Sequence, residues 1–161
     1  MKRTTIIGLL LFTSAALVAC GGDDSTDAGQ AGLCAEEARA DEFVVGMEKS
    51  TVDSKFGVRL TEVLVQDTPR PPDRGDNLWT FQVVDASGAP VDGAMVDVKP
   101  WMPDHGHGTN PLHLDARLEP QVGTYEVGPF DLFMGGFWEF TFTVDAAGTT
   151  DTVDFGFCVE G

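Results

Sequence analysis

The sequence predicts an all-β protein, a sandwich of about seven strands behind a leader and a flexible tether. Two observations carry this. Beyond Gly32, runs of four to ten residues alternate apolar and polar or are rich in β-branched and aromatic types, with Gly, Pro, Asp and Asn clusters between them. Helical patterns do not alternate with these runs, which excludes a parallel α/β sheet.

Gly57 to Gln66 sets Val58, Leu60, Val63 and Val65 against Arg59, Thr61, Glu62 and Gln66. Asp67 to Asp76 carries three prolines and a glycine and reads as a loop. Leu78 to Asp85 is a second strand, and Ala86 to Pro90 turns the chain. Ala94 to Val98 is a third, with Ala94, Val96 and Val98 on one face. Leu112 to Leu118 alternates through Leu112, Leu114, Ala116 and Leu118. Gly123 to Val127 is a short strand around Tyr125. Phe137 to Val144 points Trp138, Phe140, Phe142 and Val144 inward, and Thr150 to Cys158 closes the domain. Phe43 to Met47 is a candidate eighth, edge strand, and Ala35 to Ala40 the one helical-looking turn. This spacing suits an immunoglobulin-like sandwich. Its core draws on Trp79, Phe81, Val83, Val96, Val98, Tyr125, Trp138, Phe140 and Phe142.

The first nineteen residues read as an address. Lys2 and Arg3 precede an apolar run from Ile6 to Val18, too short to span a bilayer comfortably, and Leu17-Val18-Ala19-Cys20 ends it. This resembles the bacterial lipobox, which implies cleavage before Cys20 and acylation of that cysteine with fatty chains such as palmitate. Several acyl chains on one residue give stable anchoring. Gly21, rather than Asp, follows the cysteine, which by analogy with Gram-negative lipoproteins favours the outer membrane. Residues 20–32 are small, polar and Gly-rich and are expected to form a tether. Residues 33–161 then form one domain, a length that suits one core and not two.

Without Lys2 and Arg3 the formal charge of −16 becomes about −18. So acidic a chain is not expected to bind nucleic acid, which needs a positive face. Cys34 and Cys158 flank the domain, and in an oxidising compartment an even pair is expected to form a disulfide. The alternative is two thiols contributing to a metal site.

All three histidines fall between His105 and His113, in a segment running Trp101-Met102-Pro103-Asp104-His105-Gly106-His107-Gly108-Thr109. Imidazole and thioether together suit a soft metal, copper first. The candidate ligands are Met102, His105, His107, His113 and Met134; adding Asp104 would suit Zn(II). His113 alternates with Leu112 and Leu114 and so falls on the outward face of a strand. In the competing reading, the segment is a structural cover and the domain a metal-free module for an envelope protein partner. That reading expects Trp101 and the Phe130 to Phe137 stretch to be exposed. Gly-x-Ser-x-Gly, P-loop, His-Glu-x-x-His and dinucleotide fingerprints are absent from the sequence, so no enzyme is expected.

Asp85-Ala86-Ser87-Gly88-Ala89-Pro90-Val91-Asp92-Gly93-Ala94-Met95-Val96 matches a hairpin motif of secreted immunoglobulin-like and transthyretin-like modules. With Val96 to Gly108, Gly123-Thr124-Tyr125 and Met134-Gly135-Gly136-Phe137-Trp138-Glu139, it resembles the YtkA-like domain family and, more loosely, FixH-type periplasmic domains. The resemblance spans roughly Asp76 to Phe157. It implies a secreted or membrane-anchored β domain, in a family some of whose members stand near copper functions. Asp104-His105 occupies a region where the family often has a second methionine.

Overall fold

The computed structural model describes residues 32–161. The expected signal peptide, the lipidation site Cys20 and all of the tether but Gly32 lie outside them. Among the described residues there is no helix, and so none long and apolar enough to cross a membrane.

Eleven strand segments form two antiparallel sheets. The first contains β1 (Glu48–Ser50), β2 (Phe56–Val65), β3 (Thr68–Pro69), β4 (Gly75–Asp85), β8 (Arg117–Leu118) and β9 (Thr124–Leu132), ordered β1-β2-β4-β9-β8 with β3 also on β2. The second contains β5 (Met95–Met102), β6 (His107–Gly108), β7 (Leu114–Asp115), β10 (Gly136–Ala146) and β11 (Thr149–Val159), ordered β11-β10-β5-β6 with β7 also on β5.

The inner faces meet in an aromatic core. Trp79 is fully buried, with Phe140, Phe130 and Phe157 at centroid distances of 4.4, 5.4 and 5.7 Å. All nine expected core residues are buried. Leu60 and Val63, three apart, both face inward because a bulge between Leu60 and Glu62 resets the alternation. The buried Tyr125 hydroxyl accepts from Ala94 N and donates to Val91 O, both at 2.8 Å, and pins the connection into β5. Asp85 shapes the hairpin before it: Oδ1 accepts from Ser87 N (2.8 Å), Ser87 Oγ (2.6 Å) and Ala89 N (3.0 Å).

Several details differ from the sequence expectation. Asp67 to Asp76 is not all loop, since it holds β3 and the start of β4, and the short strand expected at Gly123 to Val127 runs on to Leu132. Ala35 to Ala40 is not helical; Ala35, Glu37 and Ala40 each donate to a carbonyl three residues back, giving successive turns. Phe43 to Met47 is not a strand; it turns at Val44–Met47, and the edge strand starts at Glu48. Leu112 to Leu118 is not one strand: β7 pairs with β5 and β8 with β9, so the chain changes sheet at Ala116, whose N donates to Val96 O. Finally, β5 runs on to Met102. Pro100 is tolerated because β7 covers Asp97 and Val98 while β6 covers Trp101 and Met102, so the edge partner is interrupted where a backbone N–H is missing.

The Cys34–Cys158 disulfide forms, with Cα atoms 5.4 Å apart. It fixes the entering segment against the outer face of β10 and β11. Asp41 clasps Gly156 there, donating its N to Gly156 O (2.6 Å) and accepting from Gly156 N (2.8 Å).

Candidate metal centre

Met102 and His107 face each other across the β5–β6 hairpin, so their side chains leave the same side of the sheet. Pro103 to Gly106 form the tip. Met102 O accepts from His105 N (3.2 Å) and Gly106 N (2.9 Å), a turn that needs the positive φ of Gly106, +69°. The bend that separates two residues in sequence therefore brings the His105 and His107 rings to 5.7 Å. A metal–nitrogen bond of about 2 Å puts each ring centre about 3 Å from an ion, so two rings sharing one ion lie up to about 6 Å apart.

His105 is exposed and His107 half-buried. His107 Nδ1 is buried and has no hydrogen-bond partner. An unsatisfied buried polar atom costs about 1–3 kcal/mol, which a ligand would relieve. Phe133 stacks on the His107 ring at 5.3 Å and 21°, and Trp138 stands edge-on at 6.4 Å. Trp138 Nε1 donates to Met134 O (3.0 Å) and fixes the turn that carries Phe133 and Met134.

The two thioethers lie at this same end of the sandwich. Met102 is fully buried, and its Cε comes within 3.0 Å of where a side chain on Gly136 would begin. Met134 is half-buried against the core. The donors present are thus two imidazoles and two thioethers, a set that fits copper. Among the described residues, no group of three His, Cys, Asp or Glu side chains could hold an ion.

His113 does not join the cluster. Leu114 opposes Val98 and faces the core, so His113 projects from the outer face, where Nδ1 meets Asp97 Oδ1 at 2.8 Å. Nor do the cysteines, which are consumed in the disulfide. Asp104 is spoken for as well: Arg39 donates from Nη1 to Oδ1 (2.9 Å) and from Nη2 to Oδ2 (2.6 Å). These bonds hold the Asp104 carboxyl below its ordinary range, and its charge stays paired with the guanidinium. Sequence reasoning missed Arg39, Phe133 and Trp138 as parts of this end. Trp101 is half-buried and Phe130 and Phe137 are buried; of the aromatic residues an interaction surface would show, Phe133 is the exposed one, at 44%.

Two packed antiparallel sheets with a donor-bearing hairpin at one end define a small β-sandwich domain. The sequence model of the YtkA-like family matches residues 59–143, more than half of the chain, and the chain belongs to that family. The match runs from β2 into β10 and includes the hairpin, Met134 and Trp138; Cys34, Arg39 and β11 lie outside it. Searches of curated proteins and of solved structures found no match.

Proposed function

We propose that this chain is a lipid-anchored, non-enzymatic protein of the bacterial cell envelope that binds copper, for trafficking or tolerance. Met102, His105, His107 and Met134 would hold the ion. The observation that carries the reading is the buried, unpartnered His107 Nδ1, with a second imidazole 5.7 Å away and two thioethers at the same end of the fold. His107 would then supply a half-buried donor and His105 an exposed one that can hand an ion on, with Phe133 excluding water from one side.

The test is anaerobic Cu(I) and aerobic Cu(II) titration of the detergent-solubilised chain beside its His105→Ala/His107→Ala variant. Tight one-to-one binding that disappears in the variant supports the reading; equal binding in both proteins defeats it. The anchor is tested separately: Cys20→Ser should move the protein out of the membrane fraction, and mass spectrometry should find the acyl chains on Cys20.

A further inference from the structure

Asp104 precedes His105 at the hairpin tip. A free carboxylate there would add oxygen to the two imidazoles and turn the end of the sandwich toward Zn(II). It is not free. The Arg39 guanidinium takes both of its oxygens in a forked pair. Arg39 is itself fixed: Glu37 accepts from its Nε (2.8 Å) and Nη2 (2.6 Å), and the guanidinium lies 4.3 Å over the Phe137 ring. Gly156 leaves room for the Phe137 ring, since a Cβ there would come within 2.8 Å of it. An isolated exposed ion pair is worth little, but a two-pronged pair anchored by a second carboxylate and a ring is an organised clamp.

We propose that Arg39 is a specificity-determining residue of the metal centre: by occupying both carboxylate oxygens of Asp104, it keeps the donor set soft and disfavours Zn(II) relative to Cu(I). The proposal rests on the copper reading above. Arg39 lies outside the segment matched by the family, so this control belongs to the part of the chain that precedes it.

The experiment uses the detergent-solubilised chain in four forms: unchanged, Arg39→Gln, Asp104→Asn and the double variant. Each is titrated with Zn(II) alone and, anaerobically, with Cu(I) alone against competing chelators. Circular dichroism melting checks that each form folds. Releasing Asp104 in Arg39→Gln should tighten Zn(II) roughly tenfold or more, the scale on which a supporting contact tunes a metal site, with Cu(I) little changed. The gain should vanish in the double variant. Cu(I) bound tightly with Zn(II) affinity unchanged in Arg39→Gln overturns the role of Arg39 alone, as does a Zn(II) gain that survives in the double variant. A parent chain that binds no Cu(I) overturns the copper reading and this proposal with it.

Discussion

Replacing Gly108 by alanine should unseat the strand that carries His107. A Cβ at Gly108 would lie 2.2 Å from Pro100 O and 2.5 Å from Leu112 Cδ1. The leucine can turn away; the backbone carbonyl cannot. Restoring an ordinary contact of a little over 3 Å needs β6 to retreat by about 1 Å, against a strand spacing of about 4.8 Å. Because β6 is two residues long, it has little other pairing to resist that retreat. Overpacking costs about 1–3 kcal/mol and each weakened ladder hydrogen bond about 1 kcal/mol, so the loss should be about 2–4 kcal/mol. Much of it should appear as local opening. Amide exchange followed by NMR reads this directly: the His105 and Gly106 amides, both bonded to Met102 O, should lose protection while those of β4 and β10 keep theirs. Urea denaturation should show a smaller drop in global stability. Unchanged protection of His105 and Gly106 in the Ala variant would refute the reasoning, since it would mean that β5 and β6 absorb the methyl without parting.

Changing Cys34 and Cys158 to Ser together opens a 124-residue loop, which the chain-entropy relation values at about 5 kcal/mol; melting should fall by roughly 15–20 °C, and a fall below about 5 °C would show that the ends stay together without the bond. Trp79→Ala should cost about 3–5 kcal/mol in urea unfolding, because Trp79 is fully buried among Phe130, Phe140 and Phe157. Asp151 has a carboxyl that burial pushes up, but hydrogen bonds from the amides of Thr152, Asp53 and Lys55 hold it below its ordinary 3.8. A lowered folded value stabilises above pH 3.8 and is lost as pH falls through it, so melting temperature should drop on acidification below about pH 4. Asp151→Asn should melt lower at pH 7 and respond less to that acidification; an undiminished acid response would assign it to other carboxylates.

Most of the sandwich was legible because its long strands bury one face each, and a period of two is the direct print of that burial. The pattern runs through Trp138, Phe140, Phe142 and Val144, all fully buried. Two of the failures share a cause: periodicity reports which way side chains point, not which strand lies alongside. Leu112 to Leu118 alternates throughout and yet passes from one sheet to the other. Pro100 looks like a breaker until the gap in its edge partner is known. At the candidate metal centre, the closeness of Met102, His105 and His107 was legible because their pairing is local, set by one hairpin. The bond from Arg39 to Asp104 spans 65 residues and starts in a stretch that reads as a helical turn, so nothing local marked it.

The disulfide also decides where tension goes. If the chain is tethered upstream, as proposed, a pull on it reaches Cys34 and passes across the sulfur–sulfur bond to Cys158, in β11, which is joined to β10 along eleven registered pairs. The residues from Ala35 onward, Arg39 among them, then lie outside the load path, held on the sheet by their own contacts while the sulfur–sulfur bond bears the pull. A tether so attached would pull on the domain without tugging on the clamp that holds Asp104.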